Sequence, residues 1–281
     1  MVGLVDEQSD DKCPFCYKAV HAFPTKKEEP TAEVESKPSQ LKCAMLLPRV
    51  GGWKHTTAKH HLISAMQCYA RVRRLVRMAS LVGYDVNDPP NGIGLPTVAN
   101  NIKYSLAGGT LQKFGAFEPQ GKKQIAFGVM EQAKAQWHVG HHAFTVEIPD
   151  DWAEERNKSD SGHTVSYDES VIKLLLKLMD AWIALPICEE EEDKSSKLKA
   201  DMDAISAEIR TKLNMFSSAN PSASFPFFVS RLAFEFAVDR SPTPSPEETS
   251  DDPPSGPSKM RDLSPTDDDP LLEPPKKKAK H

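Results

Sequence analysis

The sequence predicts an α+β fold, mainly helical, on three observations. Apolar side chains recur at helical spacing across residues 62–82, 169–185 and 195–216. Strand-like runs are few and short, the clearest following Asn91-Gly92. Stretches rich in Pro, Ser and charged residues at 22–40 and 240–281 bury too little apolar surface to offset the entropy of ordering, so both are expected to be disordered. The foldable chain is then 41–238, with a small N-terminal knuckle near 11–21.

Each element has its own signal. In 62–82 the apolar positions are Ala65, Cys68, Tyr69, Val72, Leu75, Val76 and Ala79, with no breaker before Gly83, which predicts one helix with its arginines on the other side. Residues 85–90 are turn-rich, and Asn91-Gly92 predicts a tight reversal into a strand over 93–95. Loops are expected at Gly108-Gly109 and across 115–121. Helical periodicity returns over 124–136 and runs into His138. The helix at 169–185 is stopped by Pro186, and a second, more charged helix over 195–216 would pair with it antiparallel. Residues 224–236, with Phe225-Pro226-Phe227-Phe228, read as a clasp onto the core. The organisation is a leader (1–40), a core (41–165), a helical extension packed on it (166–238) and a tail (239–281). No internal repeat is present.

Composition narrows the function. A net charge of −5 over 281 residues excludes a generally basic nucleic-acid binder, yet Arg71, Arg73, Arg74 and Arg77 crowd one segment. Five cysteines with one CxxC do not make a disulfide framework and suit a reducing compartment with metal binding. No apolar run reaches the ~18 residues that span a bilayer, and 1–12 has no apolar Sec-type signal.

The chemistry concentrates in histidine. Of nine histidines, six lie near two clusters, His60-His61 and His138-Val139-Gly140-His141-His142, with Asn91-Gly92-Ile93-Gly94-Leu95-Pro96 between them. Neutral imidazole is the commonest metal ligand and also titrates near pH 7, so such a set suits a metal ion with a base beside it. His138 and His142, four apart, would share one helix face and one ion. Adjacent His60 and His61 on a strand point to opposite faces, which divides two roles between them. His21, His55 and His163 read as ordinary solvated or hydrogen-bonded residues.

The order His-His, Asn-Gly-Ile-x-Leu-Pro, His-x-Gly-x-His resembles the AHH nucleases, members of the HNH or ββα-metal endonuclease superfamily found as toxin domains of bacterial effectors. The resemblance covers about residues 50–150. The family's Ala-His-His stands here as Ala58-Lys59-His60-His61, and its following proline is replaced by Ser64. It implies a β-hairpin and helix gripping one divalent ion through His60, His138 and His142. His61 would be the general base and Asn91 the brace of the hairpin that orients it, with His141 beside the ion or a phosphate. The ion would be Zn, Ni, Mg or Mn, with imidazoles favouring Zn or Ni. The implied substrate is DNA more than RNA, and the implied partner a cognate immunity protein. The producer would keep the protein in its cytoplasm and deliver it without a Sec signal.

Other motifs add to this. The Arg71, Arg73, Arg74 and Arg77 stripe would hold the DNA backbone without reading sequence. Cys13-Pro14-Phe15-Cys16 is half of a structural zinc site, with His21 and Cys43 as candidates to complete it. Residues 276–280 (Lys-Lys-Lys-Ala-Lys) resemble a nuclear-localisation signal. Two alternatives stand beside the effector nuclease: a non-catalytic zinc-binding interaction module, and a nuclease of restriction or mobile-element transfer.

Overall fold

The structure is a computed structural model, and the residues it describes are 12–18, 41, 43–44, 46, 52–98, 102–106, 108–139, 142, 144–147, 149, 152, 164–189, 194–218 and 220–240. The expectations for His21, His141, His163, residues 22–40 and the tail lysines fall outside them. Among the described residues the fold is α+β, with helices carrying most of the regular structure and three two-stranded sheets.

The main sheet pairs β1 (Thr56–His61) with β2 (Gly92–Thr97) antiparallel, from Thr56 opposite Thr97 to His61 opposite Gly92. β2 is longer than the 93–95 expected. Asn91-Gly92 is also not a hairpin turn: Asn91 ends a short 3-10 turn (Pro89–Asn91), and the strands are joined through residues 62–91. That connection contains α1 (Arg73–Leu81), closed by Gly83 at φ 72°, the left-handed position that a helix C-terminus asks of glycine. The single helix expected over 62–82 is therefore only its second half. Its first half is turns around Ser64 and a 3-10 segment (Tyr69–Arg71), because Ile63 is drawn off by a side chain described below. The apolar periodicity still marks burial correctly: Ala65, Cys68, Tyr69, Val72, Leu75, Val76 and Ala79 are all in the core.

Two minor ribbons follow, β3 (Lys103–Tyr104) with β4 (Gln112–Lys113) and β5 (Val146–Glu147) with β6 (Thr164–Val165). α2 (Pro119–Ala133) lies between β4 and β5, begins on a proline suited to the first helical position, and stops at Lys134, φ 52°. Within it, a Cβ at Gly128 would run into the Trp53 indole. α3 (Tyr167–Ile183) starts with a Ser166 cap accepting from Glu169 N, and α4 (Ser195–Met215) packs on it, with Trp182 Nε1 donating to Asp201 at 3.1 Å. The expected clasp is partly helical: α5 (Arg231–Asp239) is capped by Ser230.

Two apolar clusters form the core. One joins the knuckle, α1, α3 and α4, and the other joins α2, Trp137, Trp152 and α5. Both draw on residues before and after 165. The segment 227–229 divides them: Phe227 and Val229 face the first cluster and Phe228 the second, the alternation of an extended chain.

Small sheets leave many backbone groups to satisfy, and side-chain amides supply partners. Gln132 accepts from Trp53 N and donates to Trp53 O (2.7 and 3.2 Å), and Gln136 does the same for Val229 N and Phe227 O (2.9 and 3.0 Å). Asn91, 0% exposed, accepts from Ile63 N at 2.7 Å and donates to Ile63 O at 3.0 Å and Val86 O at 2.7 Å. The last of these amides extends the β1–β2 ladder past its final pair. Asn91→Ala would strand three buried backbone groups at about 1–3 kcal/mol each, so we expect a loss of about 3 kcal/mol or more in denaturant-midpoint measurements. The half-buried Asn87→Ala should cost about 1 kcal/mol or less. Equal costs would contradict the clamp.

Candidate metal centre

The three histidines that the sequence marks as ligands converge. Ring nitrogens of His60, His138 and His142 lie within 4.8 Å of one another, and their centroids are 4.7–5.2 Å apart. His60 comes from β1. His138 and His142 come from the chain after α2, and here the structure departs from expectation. The described residues 136–139 and 142 are not helical, so the helix of a ββα-metal core is not confirmed among them. The segment is tied instead to β2: His138 N donates to Pro96 O at 2.9 Å, and Thr97 Oγ1 donates to His138 O at 2.7 Å. Pro96 cannot donate to a ladder, but on an edge its carbonyl can receive this segment.

Proton positions follow from the hydrogen bonds. The Tyr167 hydroxyl donates to Leu62 O at 2.8 Å, so at 3.2 Å from His60 Nε2 it must accept that ring's proton. His60 Nδ1 is then the acceptor nitrogen. His142 Nδ1 donates to Val229 O at 2.9 Å, which makes His142 Nε2 its acceptor nitrogen. These two nitrogens face each other at 3.2 Å. Two lone pairs so placed repel, whereas two nitrogens bound at ~2.0–2.1 Å to a tetrahedral ion sit ~3.3 Å apart. The separation fits a shared cation, and Tyr167 and Val229 fix the tautomers of the two rings, as outer partners of metal-binding histidines do.

Burial favours the neutral form the ligands need. It pushes His60 well below the usual imidazole range, helped by His142 and His138, and pushes His138 down to about 3, helped by His142. His60 and His142 are 4% and 7% exposed, so the set reaches solvent through the partly exposed His138.

His61 is not part of the trio. Its Nε2 meets Asn87 Oδ1 at 3.2 Å. Asp85 fixes that amide by accepting from both Asn87 Nδ2 (3.0 Å) and Asn87 N (2.8 Å), which turns Oδ1 toward the ring. His61 thus carries its proton on Nε2 and leaves Nδ1 basic. Burial lowers its pKa, against the Asn87 hydrogen bond and the Asp85 charge. Asn91 does brace the end of β1, but through Ile63. The bond that orients His61 is made by Asn87, which the sequence reading missed, as it missed Tyr167. His55 keeps its plain reading, buried with Nδ1 3.2 Å from Thr56 O.

Two further sets of expected residues meet other contacts. Arg74 donates to Pro14 O and Phe15 O (2.7 and 3.2 Å) and Arg77 to Lys12 O (2.5 Å), so both hold the knuckle. Arg71 and Arg73 are exposed. Cys43 does not join Cys13 and Cys16; its charged neighbours are Lys59 and Arg210, and Cys188, not among the expected ligands, takes its place.

Tyr167→Phe removes the acceptor for His60 Nε2–H while keeping the ring. We expect metal affinity to fall about 10–100-fold in a competition titration, with little change in secondary structure. An unchanged affinity would show that Tyr167 does not set the His60 tautomer.

Compared with known proteins, the chain matches no family model, no curated protein and no solved structure.

Proposed function

We propose that this protein is a metal-dependent endonuclease that hydrolyses DNA phosphodiester bonds, an effector-type enzyme similar to the AHH nucleases. The observation that carries the reading is the convergence of His60 Nδ1 and His142 Nε2, with His138 beside them, on a strand whose next residue is an oriented histidine. The donor set fits a divalent ion, and three nitrogens leave a coordination position for a reactant. When bound, such an ion supplies charge that offsets what develops on a phosphodiester's oxygens.

The chain's own residues supply the rest. His60, His138 and His142 present neutral acceptor nitrogens and hold the ion's position. His61 takes a proton from water at Nδ1, while Asn87 and Asp85 fix its tautomer and stabilise the imidazolium that results. Asn91 acts as a positioning residue by fixing the chain just beyond His61. Arg71 and Arg73, exposed before and at the start of α1, are the arginines left for backbone contact. In this reading an immunity protein and delivery without a Sec signal go with the effector role.

A second reading, a zinc-binding interaction module, is favoured by the burial of His60 and His142. It requires a closed site, so an exchangeable water on the bound ion would exclude it.

Purified full-length protein should nick supercoiled plasmid only when a divalent ion from a Zn, Ni, Mn and Mg panel is added. His61→Ala should slow nicking by about 10²–10⁴-fold with metal content retained. Nicking that survives His61→Ala removes the base, and no nicking with any ion removes the nuclease. Arg71→Ala and Arg73→Ala should each weaken DNA binding regardless of sequence and flatten its salt dependence by about one unit of slope. An unchanged slope would return both to plain solvated charges.

A further inference from the structure

Three thiols meet where the N-terminal knuckle touches the turn after α3. Cys13, Cys16 and Cys188 place their sulfurs within 4.8 Å of one another, and Cys13 Sγ is 3.6 Å from Cys188 Sγ. We propose that these three cysteines bind a structural zinc ion that fastens the leader to the α3–α4 helical pair, a site separate from the histidine centre.

The distances fit a shared ion and exclude a disulfide. Two sulfurs at ~2.3 Å from a tetrahedral zinc are ~3.8 Å apart, close to the observed separation, while a disulfide needs ~2.05 Å. The knuckle is built to aim both of its thiols one way. Tyr17 N donates to Cys13 O and Cys13 N to Lys18 O, each at 3.0 Å, and Tyr17 takes a left-handed φ of 60°. A tyrosine holds that conformation only under constraint. The constraint is Arg74, whose guanidinium lies 3.5 Å above the Tyr17 ring while donating to Pro14 O and Phe15 O.

Charge agrees. A zinc ion with three thiolates carries a net −1, and Arg74 and Arg77 grip the surrounding turn. Apolar contact alone anchors the leader weakly: within 12–18, Cys13, Pro14 and Phe15 are buried, with Phe15 against Trp182. The surface pair Lys18–Glu189 is 3.8 Å apart and largely exposed, so it adds little. A short segment with so small a core calls for a staple. Three thiolates leave one position for a water or a further side chain.

The test uses the full chain, with zinc counted by elemental analysis and cobalt as a spectroscopic substitute. Wild type should hold two zinc ions, and its cobalt form should show a thiolate-to-metal charge-transfer band. Cys188→Ser should lose one ion and the band, while Cys43→Ser keeps both. His138→Ala should lose the other ion and keep the band. If it still holds two ions, the histidine centre fails and this proposal stands. Removing zinc should also speed tryptic cleavage at Lys12 and Lys18. Absence of the band in wild type, its survival in Cys188→Ser, or a Cys13–Cys188 disulfide in the isolated protein would overturn the site. Should Cys188→Ser fail to fold, zinc-edge absorption of His138→Ala decides: three sulfurs near 2.3 Å support the site, and fewer overturn it.

Discussion

The buried amide of Asn91 is the constraint on which the site rests. β1 ends at His61, and Leu62 N donates to Asn91 O at 2.9 Å before the side chain takes both polar groups of Ile63. Without this, the chain would have no reason to leave the ladder in one direction. The same side chain accepts from Ser206 Oγ at 3.2 Å on α4, and Arg210 donates to Pro90 O and Gly92 O (2.7 and 3.0 Å) from the next turn. The end of β1, the start of β2 and a helix more than a hundred residues away are therefore set by one cluster of bonds. His60 and His61 inherit their positions from it.

Around that fixed point the structure separates two histidine environments. His60 turns to Tyr167 and His142, where bonds to hydroxyl and carbonyl leave acceptor nitrogens converging. His61 turns to Asn87, where an amide held by Asp85 leaves Nδ1 basic. Alternation along a strand gives adjacent residues different surroundings at no cost in sequence length. Partners drawn from the connection, from α3 and from the segment before α5 then assign each ring its tautomer.

The histidines that converge were legible because chemistry was dense in sequence: paired histidines, and two more bracketing a glycine. Their backbone was not. Four-residue spacing suggests a helix, but it is equally met by a chain laid along β2, and Lys134, Pro96 and Thr97 select the latter. Periodicity over 62–82 located burial and overestimated the helix, since burial needs only a repeating contact and the Ile63 clamp overrode the first turns. The contacts of Arg74 and Arg77 to the knuckle were not legible, because a charge run shows sign and spacing, not the carbonyls it will meet. Asn87, Tyr167 and Cys188 left no local signal. Each acquires its role through a contact closed by the tertiary fold: across the β1–β2 connection, from α3, and from a turn 175 residues after Cys13.

The most direct test of the metal centre is crystallographic. Crystals of the full chain loaded with zinc or nickel, measured at the absorption edge of that metal, should give an anomalous peak about 2.0–2.1 Å from His60 Nδ1 and His142 Nε2, with His138 as third ligand. A map with no peak there, and with His60 and His142 hydrogen-bonded to each other through a shared proton, would contradict the account.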